Sequence, residues 1–227
     1  MPLLKRKSDG FDLRIEDMVL RVAAPEERYE ESRAAALSFW EQIQSYSRRN
    51  PRFRTSKRPI PTPQDGPEIC REMTATAASA GVGPAFTFQG ALVEHVGRYL
   101  AESLPEVTVS GGGDHFVLTA KRLKFPVFTD SEGGGLSVFI SPDSGVHGVY
   151  TTIGRRTLPA ETVDGLAILA ETCILADAAA AAVMAILAKD DAFKDALGYL
   201  QDLEGVAGGV VVRGERIGVV GTIELAA

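Results

Sequence analysis

Residues 164–187, DGLAILAETCILADAAAAAVMAIL, decide how this chain is read. The first part, DGLAILAE, is short and rich in Leu and Ile after a turn dipeptide, which predicts a strand. The second part, from about 174 to 188, is alanine with Leu, Ile, Val and Met, which predicts a helix. One carboxylate, Asp177, stands in that apolar block. It reads either as a helix-start residue, favoured by free amides and the macrodipole, or as the charged group of a site.

Short alternating segments flank this unit on both sides. FDLRIEDMVLRVAA (11–24) predicts a strand or two short ones. EVTVS, DHFVLTA, FPVFTD, LSVFISP and HGVYTTIG follow one another between glycine-bearing turns, as an antiparallel sheet requires. GGVVVRGERIGVVGTIEL predicts a C-terminal hairpin around Arg213–Arg216. Helices are expected from Pro25 to Pro51, with Tyr29, Ala36, Trp40 and Ile43 on one side. Others are expected in the Ala- and Thr-rich EICREMTATAASAGVG, in PAFTFQGALVEHVGRYLAESLP and in DAFKDALGYLQDLE (191–204). No strict βαβ alternation appears, so the fold class is α+β with a mainly antiparallel sheet.

The chain of 227 residues, 45% hydrophobic and 24% charged, is long enough for a proper core and reads as one domain over 1–227. Its net charge of −6 argues against a nucleic-acid partner, which would call for a basic face. Behind the basic residues of MPLLKRKSDGFD there is no apolar run, so it does not read as a secretory signal. The run from Ala178 to Ala188 would span only about 16 Å as a helix, too short for a bilayer. A cytoplasmic location is expected. Cys70 and Cys173 share no ligand spacing with His95, His115 or His147, so a zinc site is not expected. Residues 48–68 form a basic, Pro-rich connector, with six basic residues from Arg48 to Arg58 and five prolines from Pro51 to Pro67. It is either a solvated spacer or a basic flap over a phosphate-bearing ligand.

Two turns carry candidate chemistry. In VSGGGDHF, successive glycines at a strand end allow close approach and leave amides open to anionic oxygens; a plain hairpin turn also wants them. In HGVYTTIGRR, two hydroxyls, a glycine and two arginines form a set suited to phosphoryl oxygens. VSGGGD, GVYTTIG and LAILAETCILADAAAAA occur in the order of three motifs of the ApbE-like superfamily, the FAD:protein FMN transferases, which this chain resembles over about residues 69–190. The likeness is greatest to a small stand-alone branch that also has an Ala-rich helix like REMTATAASAG.

The resemblance implies a T-fold-like architecture, an antiparallel sheet backed by helices in two similar halves. It implies a small phosphorylated ligand such as FAD or FMN, and a magnesium ion held by the aspartate matching Asp177. Gly112, Gly113 and Asp114 match its Gly-Gly-Asp motif. Thr151, Thr152 and Gly154, with Arg155 beside them, match its Thr-Ser-Gly turn. The threonine expected four residues after the metal aspartate is Ala181 here, and the His-Ile-Ile-Asp-Pro segment has no counterpart. Three readings follow: a binder of a flavin-like ligand, a magnesium-dependent FMN transferase acting on a protein substrate, and a non-catalytic interaction protein that keeps the fold.

Overall fold

The computed structural model describes residues 10–129, 135–142, 144–152, 163–189 and 191–226. Strands β1 (Phe11–Ile15) and β2 (Met18–Ala23) pair as a hairpin, confirming two short strands in the first alternating segment. Four helices follow: α1 (Tyr29–Arg49), α2 (Pro51–Thr55), α3 (Glu68–Ser79) and α4 (Phe88–Ala101). Pro51 bounds α1 as expected and also opens α2, since a proline at N1 lacks only an amide that has no intrahelical partner. The connector therefore contains a helical turn.

Strands β3 (Val107–Gly111), β4 (Asp114–Leu118), β5 (Leu123–Thr129), β6 (Gly135–Ile140), β7 (Gly148–Thr151) and β8 (Gly165–Ala170) come next. Helices α5 (Cys173–Leu187) and α6 (Phe193–Asp202) precede β9 (Val206–Arg213), β10 (Arg216–Gly221) and β11 (Glu224–Ala226).

Among the described residues, one eight-stranded sheet runs β1-β2-β3-β4-β7-β8-β9-β10, with every pair antiparallel. Its halves repeat one plan. A hairpin (β1–β2, then β7–β8) leads into helices (α1–α4, then α5–α6), which return to a second hairpin (β3–β4, then β9–β10). The β4–β7 pairing joins the halves. The α+β, two-halved, T-fold-like architecture is thus the one observed.

Period-two alternation assigns the faces. Phe116 and Tyr150 sit in the cores under α4 and α5, while the adjacent Val117 and Val149 belong to a core against β5 and β6. Asp114 pairs with Tyr150 and Phe116 with Gly148, so both helix-side cores lie on one face of the sheet. The small sheet β11-β6-β5 covers part of the other face. Strand β8, sandwiched between α5 and the small sheet, is buried at every residue, which is why its sequence shows no alternation.

Candidate functional site

The site grows from the contact between α4 and α5. Glycine at position 90 lets the helices meet closely: a Cβ there would lie 2.6 Å from the Cys173 carbonyl oxygen and 2.8 Å from Asp177 Cβ. Two buried carboxylates then exchange across the contact. The Gly90 N–H, in the first turn of α4, donates to Asp177 Oδ2 at 3.0 Å. The Cys173 N–H, the first of α5, donates to Glu94 Oε2 at 2.6 Å. Each helix therefore supplies an anion to amides at the other's N-terminus, where four N–H groups lack intrahelical partners and the macrodipole favours negative charge.

This corrects one reading of Asp177. It is not a first-turn residue of its own helix, whose N-cap is Thr172, its hydroxyl accepting from the Leu175 N–H at 3.2 Å. The amide that Asp177 engages belongs to α4. Asp177 and Glu94 are 2% and 3% exposed, so these bonds form away from water. Burial pushes the Glu94 carboxyl up against the opposing pull of the Cys173 hydrogen bond. Cys173 is pushed well above its ordinary range, first by burial and then by the nearby carboxylates of Glu94, Asp114 and Asp177. Asp114 from β4 and Asp177 from α5 thus both act on the Cys173 thiol although they are far apart in the chain.

The β3–β4 turn reaches the same place. Gly112 has φ +56 and Gly113 φ +105, left-handed backbone that glycine adopts without strain. The Gln89 side chain lies over this turn, so a Cβ at 112 would come within 2.7 Å of its carboxamide atoms. The end of β7 closes the arrangement through the Thr151 N–H, which donates to the Gly113 carbonyl at 2.8 Å. Gly112, Gly113, Asp114, Asp177 and the Thr151 backbone are brought together with Gln89, Gly90 and Glu94.

The two threonine side chains have other surroundings. Thr151 points to the opposite sheet face from its neighbour Tyr150, and His115 Nε2 lies 3.4 Å from its hydroxyl. The other nitrogen of His115 lies 2.9 Å from the Ser110 hydroxyl, and burial holds its imidazole down to about 4, neutral at pH 7. The Thr152 hydroxyl donates to the Val127 carbonyl at 3.3 Å and accepts from the Leu166 N–H at 3.0 Å, which ties β8 to β5. Gly154 and Arg155 lie outside the described residues. His95 is a packing histidine: Nε2 is 3.0 Å from Glu72 and its ring lies 5.1 Å from that of Phe39.

Gln89 and Glu94 were not singled out from the sequence. Glu94 carries no local signal, because its partner is 79 residues away. A polar residue beside a glycine at a helix start, as in the Gln89–Gly90 pair, was the available clue.

Magnesium requires near-octahedral oxygen ligands at about 2.1 Å. One Asp177 oxygen is engaged by Gly90, and Ala181 packs with the Ala77, Ala80 and Val82 cluster. Among the described residues, no group of three His, Cys, Asp or Glu side chains is arranged to hold a metal ion. A magnesium ion at Asp177 would therefore take most of its oxygens from water or from a ligand's phosphates.

The family described as AbpE bacteria matches this chain over residues 3–194. A UPF0280 protein of Methanopyrus kandleri is 32% identical over 213 residues, spanning 90% of this chain and 86% of that protein. One from Methanococcus aeolicus is 28% identical over 190 residues, 80% of this chain and 77% of its own length. Among solved structures, the flavin transferase ApbE from Vibrio cholerae superposes with a TM-score of 0.59 at 10% identity, covering 93% of this chain and 96% of that one. The flavinyl transferase ApbE of Pseudomonas stutzeri, in its apo form, gives a TM-score of 0.59 at 15% identity over 97% and 96%. At such identities the likeness is one of fold.

Proposed function

The chain belongs to the family described as AbpE bacteria, and from that premise we propose that it binds a flavin nucleotide, FAD or FMN. The ligand lies where the β3–β4 turn, the first turn of α4 and the end of β7 meet. The glycine turn carries this reading. Gly112 is exposed and has no side chain of its own, and the Gln89 carboxamide beside it can donate and accept. Consecutive amides of such a turn suit phosphate oxygens. The α4 N-terminus adds positive potential, part of which Asp177 already balances. Asp114, paired with Gly111 across the turn, lies buried at its foot.

Binding is the part of flavin chemistry that the glycine turn itself supports. Moving FMN from FAD to a protein hydroxyl breaks a pyrophosphate bond, and the developing charge must be neutralised. Magnesium would supply that neutralisation when bound, with Asp177 as its carboxylate, and Ala181 offers no second oxygen one turn along the same helix. The second reading, a magnesium-dependent FAD:protein FMN transferase with a protein substrate, is favoured by the superposition on two flavin transferases over nearly the whole chain.

The test is a titration of the purified protein with FMN and with FAD, followed by flavin fluorescence at low and moderate salt. The expected result is saturable binding, with a dissociation constant on the order of micromolar, that weakens as salt rises. Absence of saturation up to about millimolar flavin would overturn the proposal.

A further inference from the structure

The basic connector stands apart from the site described above. Its helix α2 folds back on α1, with Phe53 only 2% exposed and its ring edge-on to Tyr46 at 5.0 Å. Between α1, α2 and the start of α4 lies a cavity of about 250 Å³. Trp40, Phe53, Met73 and Phe88 form its apolar wall, and Gln44 and Arg54 are among its polar groups. Arg54 makes no ion pair with any described residue.

We propose that this cavity is a second binding site, for a small molecule with one ring and one anionic group, a carboxylate or a phosphate ester. Three aromatic side chains and a thioether offer ring-edge, stacking and dispersion contacts to a planar apolar body. The Arg54 guanidinium presents a planar fork that matches two oxygens of either anion. The volume falls below the roughly 300–1,000 Å³ typical of drug-sized sites, so it admits one ring and not the fused three-ring system of a flavin. The proposal is therefore independent of the flavin reading. Glu16, Asp17 and Glu41 line an adjoining depression together with Arg48 and Arg54, and they compete with the ligand for Arg54. Anion binding here is accordingly modest and salt-sensitive. Phe88 directly precedes Gln89, so an occupant of the cavity bears on the first turn of α4.

Trp40 is the chain's single tryptophan and reports on its own cavity. Its fluorescence would be followed while the intact protein is titrated with benzoate, phenyl phosphate and benzyl alcohol. Both anions are expected to bind with dissociation constants of about 0.1–1 mM, and benzyl alcohol about tenfold more weakly. Arg54→Ala should remove that tenfold difference. Ala85→Phe, which fills the cavity from its lining, should abolish binding while the far-ultraviolet circular dichroism stays unchanged. Equal affinity for anions and alcohol in the parent protein would overturn the proposal, as would anion selectivity that survives Arg54→Ala. The same holds for binding that persists in a folded Ala85→Phe protein, or for no quenching up to about 10 mM anion. The tighter of benzoate and phenyl phosphate shows which of the two anions the site prefers.

Discussion

Replacing Asp177 with alanine removes the acceptor of the Gly90 N–H, a donor at the buried junction of α4 and α5. A buried donor left without its partner costs about 1–3 kcal/mol. For a chain of this size each kcal/mol lowers the melting temperature by roughly 2–4 °C, so a fall of about 2–12 °C is expected. Asp177→Asn is the informative companion. It keeps a carbonyl oxygen in the place of Oδ2 while removing the charge and turning Oδ1 into an NH2 donor, so its loss should be smaller than that of alanine. Thermal unfolding followed by circular dichroism, with urea unfolding as a second measure, reads both variants. An Asp177→Ala protein as stable as the parent, or more stable, would refute the reasoning. Asp177 would then resemble residues kept for function at the expense of stability, and the metal reading would gain the ground lost by the capping one.

Two further outcomes are expected. Glu72 is held down to about 2 from 4.5, first by its hydrogen bond with His95, then by that histidine's charge and by Arg98. Because its folded pKa is depressed, this carboxylate stabilises the protein above about pH 4.5 and loses that contribution as pH falls toward about 2. Glu72→Gln should lower stability at pH 7 and flatten this part of the stability–pH curve; an unchanged slope in urea unfolding across these pH values would contradict it. The unmodified chain should attach little or no FMN to an acceptor protein when mixed with FAD and magnesium, and Ala181→Thr should tighten magnesium binding measured by calorimetry. Robust magnesium-dependent flavinylation by the unmodified chain would promote the transferase reading instead.

The elements were legible where one face is buried and the other wet. The sequences of β1 and β2 alternate as their burial does, and α1 shows Ala36 and Ile43 buried on the predicted stripe. Strand β8 carried no such period because both of its faces are covered, and its length and flanking turn residues marked it instead. The motif order shared with the ApbE-like superfamily placed the glycine turn and the alanine helix in one plan, and in the fold Asp114 and Asp177 both act on the Cys173 thiol. The role of Asp177 was not legible. Its partner is 87 residues away, and no local pattern encodes a carboxylate that serves another helix. The same limit hid Gln89, whose place over Gly112 follows from how α4 meets the β3–β4 turn. Thr152 shows the converse ambiguity: a hydroxyl in a polar turn suits a ligand and suits equally the β5–β8 tie it makes.

The most direct test of the central claim is to follow the backbone amide resonances of the protein, residue by residue, during an FMN titration. If the flavin nucleotide binds where the first turn of α4 and the end of β7 meet the glycine turn, the largest shifts fall on Gly112, Gly113 and Thr151 and on the Gln89 side-chain amide, and they saturate together. Saturable binding with shifts confined to other parts of the fold, leaving those resonances unmoved, would contradict the account.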